Sequence, residues 1–368
     1  MKILFVGDAS NFHNTLSDAL MALGDSCVVV SDGSRWMDTP RDINIKRGKG
    51  GLGTVRYLFD IVRNLHRMRG FDVVHISNPI FFNLKPNKVR KIFDYLKRHN
   101  GAIYLSALGT DSYYVESCLD GKEFRYSDFM IGNQPSPYAK EHPEIAKAWQ
   151  SPLLAEHTRY IADNVDGIIT CLYEYYQAYK PSHANKLYYA GIPIDTALNA
   201  PTIPITETPY KVRFFIGIQR DRSSLKGTNI MLKALQRVVA KHPNHSEIVI
   251  AENVPYSQYC AMMNSSHVIL DQLYSYTPAT NALLAMSRGL IAISGAEPEY
   301  YAFIKENQNQ PIVNVTPFNN IEEQIEYLIN NRDKIPALSQ QSREFVIKHN
   351  DAELIAKKHL EIWQNCKC

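Results

Sequence analysis

The sequence predicts an α/β protein built from two Rossmann-like, doubly wound domains facing each other across a cleft. Three observations carry that expectation. At 368 residues the chain is long for a single core. Short strand-like runs alternate with helical periods in both halves, the pattern of parallel α/β layers. Between the halves, residues 195–210 (DTALNAPTIPITETPY) hold three prolines and four threonines and interrupt the alternation. The expected domains are therefore 1–200 and 201–350, with a C-terminal helix in 351–368 packing back on the first.

In the first half, strands are expected at 2–7, 27–31, 71–77, 102–107, 167–172 and 186–190. Between the first two, Leu16, Ala19, Leu20 and Leu23 recur at helical spacing, and Gly24 is placed to end that helix. A second helix carries Val55, Leu58, Phe59, Val62 and Leu65 as its apolar face; a third carries Val89, Ile92, Phe93 and Leu96. Residues 112–150 break the rhythm with aromatic, polar and proline residues (YYVE, FRYSDF, NQPSPY), too long for a simple connection and read as a functional excursion. After the linker, strands are expected at 213–218, 247–252, 268–273, 290–294 and 311–315. The helix 228–240 has Met231, Leu235 and Val238 on one face with Thr228 as N-cap. The helix 321–330 has Asn320 and Glu323 placed as a capping box.

Composition narrows the class. The chain is 45% hydrophobic and 21% charged, as globular proteins are. No apolar run approaches the roughly 18 residues that span a bilayer. Strand one follows Met1 and Lys2 directly, without a signal-peptide core. Cysteines 27, 118, 171, 260, 366 and 368 are scattered, with no CxxC pair and no His at ligand spacing. The expectation is a reduced, cytoplasmic protein without a metal. Charge is uneven: residues 41–100 hold fourteen Lys/Arg against four Asp/Glu, a local +10 in a chain of net +3. That imbalance argues for an anionic partner, with an anionic membrane surface or lipid pyrophosphate ahead of nucleic acid, for which no recognised module is present. Trp36, Phe81 and Phe82 lie near enough in sequence to settle at such an interface, a buried role being equally open to the two phenylalanines.

The stretch 213–231, RFFIGIQRDRSSLKGTNIM, is the most informative about function. A strand runs into a basic loop that opens a helix, with Arg222 and Lys226 beside the helix N-terminus, where unpaired N–H groups and the dipole favour an anion. That suits a diphosphate, although a solvated basic turn has the same composition. Other polar loops follow strands at their carboxyl ends, which border the ligand crevice in doubly wound sheets. Gly7–Asn14 places His13 to position or deprotonate a hydroxyl, or to cap and pack. Gly109-Thr110-Asp111 places Asp111 to bond sugar hydroxyls or to cap the next turn. Asp271-Gln272 ends a strand, Asn281 lies in the next helix, and Gly295-Ala296-Glu297-Pro298-Glu299 opens another. A Gly-x-Gly-x-x-Gly match at Gly48, Gly50 and Gly53 is weak evidence for dinucleotide binding, because Asp72 lies before its strand and not at its end.

These residues resemble the retaining glycosyltransferases of family 4, which have the GT-B fold. The strand followed by Gly217…Arg222-Ser-Ser-Leu-Lys226-Gly227 is similar to that family's diphosphate-binding element. Ala285-Met286-Ser287-Arg288-Gly289 and Pro298-Glu299 are similar to two further family segments, and Asp72-Val-Val-His75 and Gly109-Thr-Asp111 match more loosely. The resemblance implies a hexosyltransferase-type enzyme of polysaccharide or glycan biosynthesis. It would move a sugar from a nucleotide-diphosphate donor to a hydroxyl of a lipid-linked or oligosaccharide acceptor, without a cofactor. On it, Gly217, Arg222, Lys226, Asp271, Gln272, Asn281, Gly295 and Glu299 serve the donor, and His13, Asp111 and Glu297 the reaction. The chain departs from the family in one place: Tyr276 and Leu284 stand where it has a pair of glutamates. Two other readings stand beside it: a nucleotide-sugar 2-epimerase, since that chemistry also uses the GT-B fold, and, from the lost glutamate pair, a non-catalytic partner in a polysaccharide assembly complex.

Overall fold

The computed structural model describes residues 1–34, 37–201 and 204–365. Trp36, Cys366 and Cys368 therefore lie outside the described residues, as do two positions of the expected linker. The chain divides into two compact units: Met1–Glu116 with Lys147–Pro193 and Ala352–Cys368, and Ser117–Ala146 with Ile194–Asp351.

In the first unit, strands β1 (Lys2–Val6), β2 (Ser26–Ser31), β3 (Ile43–Asn44), β4 (Val73–Ile76) and β5 (Ala102–Leu105) precede the excursion. There β6 (Met130–Ile131) and β7 (Gln134–Pro135) make a small antiparallel pair belonging to the second unit. The first unit then resumes with β8 (Gly167–Thr170) and β9 (Leu187–Tyr189). Its sheet is parallel in the order β3-β2-β1-β4-β5-β8-β9. Every residue of β4 and β8 is buried, because helices cover both faces; this is why such strands read as unbroken apolar runs. Phe93, Leu96, Ile161 and Tyr179 fill one helical layer over Leu4, Val74 and Ile103. The helix Ala352–Asn365 belongs to this unit and packs on the helix Phe12–Ala22.

In the second unit, β10 (Val212–Ile218), β11 (Ser246–Glu252), β12 (Val268–Leu270), β13 (Ile291–Ser294) and β14 (Val313–Asn314) form a parallel sheet ordered β11-β10-β12-β13-β14. The helix Thr228–Lys241 seats Met231, Leu235 and Val238 on Phe214, Ile216 and Leu270.

Three expectations are corrected. Most of the excursion, Ser117–Ala146, clusters with the second unit and not with residues 1–200. The helix Gly50–Asn64 buries Tyr57, Ile61 and Asn64, while Val55, Phe59 and Val62, read as its core face, are exposed. The N-cap of Thr228–Lys241 is Gly227 and not Thr228. Gly227 has φ 72°, and a Cβ there would lie 2.7 Å from Leu273 Cβ, so a glycine satisfies both backbone and space. Asn320 does cap Ile321–Asn330: its Oδ1 accepts from Glu322 N at 3.0 Å, and its amide donates to Glu323 Oε1 at 3.0 Å.

Candidate functional site

The strand order of the second unit reverses between β10 and β12, and in open α/β sheets ligands bind outside the carboxyl ends of strands at that switch point. β10 delivers Gly217 there. The expected basic loop is instead two short helical turns, Arg220–Arg222 and Ser223–Lys226, leading to Gly227. β12 delivers Asp271 and Gln272 to the same edge.

Four of the predicted donor residues meet at this edge. Lys226 Nζ donates to Asp271 Oδ1 at 2.8 Å, and Asn281 Nδ2 donates to the same oxygen at 3.1 Å. The Tyr259 hydroxyl donates to Asn281 Oδ1 at 2.8 Å, which fixes the direction of the Asn281 amide. Tyr259 also lies against Gly217, where a Cβ would come within 2.7 Å of the phenol oxygen. Burial raises the Tyr259 phenol above its ordinary value, with Asp271 adding to the effect, so the group stays a neutral donor. Sequence reasoning missed Tyr259, whose helix Tyr256–Asn264 carries no motif. Asp271 has a side chain 1% exposed, yet its Oδ2 finds no hydrogen-bond partner among the described residues. A buried carboxylate oxygen in that state is costly unless a further donor arrives. Arg222 is exposed, and its guanidinium has no ion-pair partner among the described residues. The edge thus offers one free cation, one cation held by a buried carboxylate, and an acceptor oxygen awaiting a donor.

The neighbouring loops are locked by the excursion. Gln272 Nε2 donates to Ser275 Oγ at 2.7 Å and to Thr277 O at 3.2 Å. Gly295 lies directly under the Ser275 carbonyl, where a Cβ would sit 1.7 Å from that oxygen. No larger residue fits that crossing. Glu297 begins the helix Pro298–Phe303 and is nearly buried; it accepts from the Tyr126 hydroxyl at 2.7 Å and pairs with Arg125 at 3.1 Å. Arg125 also pairs with Glu299, which holds the Glu299 carboxyl below its ordinary range. The Tyr276 hydroxyl accepts from Arg125 N at 2.7 Å, and the Tyr276 ring lies under the guanidinium at 5.2 Å. The residue standing in place of a family glutamate therefore anchors the excursion, and both carboxylates of the Gly295–Glu299 loop are engaged by Arg125 and Tyr126.

In the first unit, His13 is buried and both ring nitrogens are occupied. Trp363 Nε1 donates to His75 Nε2 at 3.1 Å. Indole is a donor without acceptor capacity, so the His75 proton sits on Nδ1 and goes to Ser106 Oγ at 2.7 Å. The Ser106 hydroxyl then donates to His13 Nε2 at 2.7 Å, and His13 Nδ1 donates to the Gly7 carbonyl at 2.6 Å. Burial lowers His13 to about 3. Of the two expectations for His13, the geometry matches the packed residue that shapes the β1 loop. Asp111 is likewise buried: its Oδ1 accepts from Tyr114 N at 2.9 Å and its Oδ2 from the Tyr179 hydroxyl at 2.6 Å. Burial raises it to about 6. It opens the helix Ser112–Asp120 as a capping residue does. The glycines of the weak dinucleotide motif lie between the two-residue strand β3 and the first turn of the helix Gly50–Asn64, not after β1, and Asp72 ties down Lys2 N at 2.7 Å at the opposite end of the sheet from a ribose site.

Among the described residues, no group of three His, Cys, Asp or Glu is placed to hold a metal. Among the described residues, Cys27, Cys118, Cys171 and Cys260 form no disulfide. No described helix is long and apolar enough to cross a membrane.

No family model matches the chain, and no curated protein matches it in sequence. Solved structures do match. Sucrose-phosphate synthase from Thermosynechococcus elongatus superposes with a TM-score of 0.62 at 12% identity, over 99% of this chain and 98% of that one. Anabaena HepE in complex with UDP and glucose does so with a TM-score of 0.58 at 13% identity, over 99% and 100%. A Listeria monocytogenes protein ascribed to the UDP-N-acetylglucosamine 2-epimerases reaches 0.54 at 10% identity, over 98% and 94%. Likeness of this extent establishes the fold: the chain has the GT-B architecture of two Rossmann-like domains.

Proposed function

We propose that the protein is a glycosyltransferase using a nucleotide-diphosphate sugar, of the retaining family 4 type suggested by its Gly217–Gly227 and Ala285–Gly289 segments. The observation that carries this reading is the switch-point edge, where Lys226 is held by Asp271 and, among the described residues, Arg222 has no ion-pair partner and Asp271 Oδ2 no donor. Arg222 and Lys226 neutralise the diphosphate, where charge grows as the glycosidic bond breaks. Asp271 Oδ2 accepts from a donor hydroxyl, with Asn281 and Gln272 ordered beside it. Gly217 and Gly295 keep the edge open at close backbone approaches, and the Gly295–Glu299 loop meets the sugar through its backbone, Glu297 and Glu299 being held by Arg125 and Tyr126. His13 and Asp111 act on the acceptor side as positioning residues that shape their loops. The acceptor is a hydroxyl of a lipid-linked or oligosaccharide glycan, and the protein works at the cytoplasmic face of a membrane.

Calorimetry against UDP-, GDP-, ADP- and CMP-sugars tests the reading and identifies the base. Arg222→Ala is expected to weaken the preferred donor by at least about tenfold with no loss of thermal stability, because an exposed cation is removed from the anion's path. Unchanged affinity removes the central claim. Transfer is also expected to persist in excess EDTA, since the two cations perform the charge neutralisation; loss on chelation restored by Mg²⁺ or Mn²⁺ would assign that work to a metal.

The second reading, a 2-epimerase, is favoured by the likeness to the Listeria protein. Incubation with the nucleotide sugar alone separates the two: an epimerase makes the C2 epimer without an acceptor, a transferase does not.

A further inference from the structure

The helix Gly50–Asn64 presents its apolar stripe to solvent. Leu52, Val55, Phe59 and Val62 are 89%, 65%, 61% and 65% exposed, and their spacing puts them on one face. At about 100° per residue they span an arc of roughly 80°, opposite Tyr57 and Ile61, which face the core. The next roughly 60° of the helix surface carries Arg63, Arg56 and Lys49, all exposed. Lys46 and Arg47 lead into the helix, with Arg47 Nη2 held on Thr54 Oγ1 at 3.0 Å. The single acid on the helix, Asp60, lies beyond the arginines and is 3.9 Å from Arg56. An apolar strip bordered by cations, on a helix already fixed by its opposite face, is the arrangement of an interfacial membrane helix.

We propose that this helix docks the protein on an anionic phospholipid surface, inserting Leu52, Val55, Phe59 and Val62 among the acyl chains while Lys49, Arg56 and Arg63 meet the headgroups. Charge complementarity selects this occupant: the segment 41–100 carries the +10 noted above, and a protein partner of mixed charge has no use for it. Each Lys or Arg near an anionic leaflet contributes about a fivefold factor in partition, and the inserted stripe adds a part that salt does not screen. The inference deepens the transferase reading by naming where a lipid-borne acceptor is met, and it is tested without donor or acceptor.

The full chain is sedimented with vesicles of equal phosphatidylglycerol and phosphatidylcholine at low and high ionic strength. The wild type is expected to pellet at low salt and to retain partial binding at high salt. Leu52→Gln/Phe59→Gln, at exposed positions that leave the fold untouched, is expected to lower the partition by at least about tenfold at both ionic strengths. Lys49→Gln/Arg56→Gln/Arg63→Gln is expected to reduce the salt-dependent part markedly and leave the salt-resistant part unchanged. In Phe59→Trp, brominated lipid is expected to quench emission beyond the wild-type level. A wild type that stays in the supernatant at low ionic strength overturns the proposal, as does Leu52→Gln/Phe59→Gln binding like the wild type. A wild-type dimer in sedimentation equilibrium that this double variant dissolves would also overturn it, assigning the stripe to a second copy. Donor calorimetry on the double variant, expected to match the wild type, separates failure here from failure of the transferase reading.

Discussion

Lys226→Ala is expected to destabilise the second unit by about 3 kcal/mol, because it strands a buried carboxylate. Asp271 is almost fully buried, and Lys226 Nζ is its nearest cation; without it the Asn281 amide alone faces the charge. The lower end of the range for broken buried pairs applies because the Lys226 side chain is 23% exposed and water partly replaces it. For a unit of this size that corresponds to a fall in melting temperature of roughly 6–12 °C. Adding Asp271→Asn removes the stranded charge, so Lys226→Ala/Asp271→Asn is expected to recover most of the stability while still failing to bind the nucleotide sugar. The contrast with Arg222→Ala, which costs affinity alone, distinguishes a cation tied into the fold from one left free. Calorimetric melting of the three variants decides the matter. A Lys226→Ala protein that melts with the wild type would mean that the pair contributes nothing.

Acidification is expected to destabilise the first unit by about 3 kcal/mol between pH 6.5 and pH 5. Burial lowers His13 to about 3, lowers His75 well below its ordinary value, and lowers His359 to about 4. The unfolded chain binds protons on these rings near pH 6.5, which the folded protein cannot take up; stability is therefore complete above that pH and declines as pH falls toward the folded values. His13 and His359 each contribute about 2 kcal/mol over this window. Asp111, raised by burial to about 6, works in the opposite direction and returns a little over 1 kcal/mol as it takes its proton. Asp8, also raised by burial, acts in the same sense as Asp111. Urea midpoints at pH 7.5 and pH 5 measure the net change, and a midpoint that holds or rises at pH 5 refutes it. His359→Phe supplies the control. His359 Nε2 is buried with no hydrogen-bond partner among the described residues, so the variant is expected to keep the fold and flatten the slope.

Both effects come from contacts that local sequence does not signal. The histidine relay runs from Trp363 to His75 across 288 positions, and Arg125 reaches Glu299 across 174. Arg125 and Tyr126 looked like ordinary members of an aromatic excursion; nothing nearby showed that Tyr276, Glu297 and Glu299 would bind them. His13 was legible as a residue at a strand's carboxyl end, but whether its ring faced a ligand or Ser106 depended on what β5 and the C-terminal helix placed beside it.

What the sequence by itself determined was the alternation and its punctuation. The eleven expected strands all form, within two or three residues of their predicted ends; central strands such as β4 and β8 are legible because strands covered on both faces must be apolar throughout. The donor-side edge was legible for the same reason: carboxyl ends of parallel strands are fixed once the strands are, so Gly217, Lys226, Asp271 and Asn281 had to gather at one edge. Tertiary structure alone decided which face of an amphipathic helix is buried. In Gly50–Asn64 one period serves two stripes, Tyr57–Ile61 and Val55–Phe59–Val62, and hydrophobic periodicity reports a face without naming what covers it. It also decided which charges are spent within the fold, as Lys226 is on Asp271, and which have no ion-pair partner among the described residues, as Arg222 has none. Ion pairing depends on distances between strands and loops that no spacing along the chain encodes.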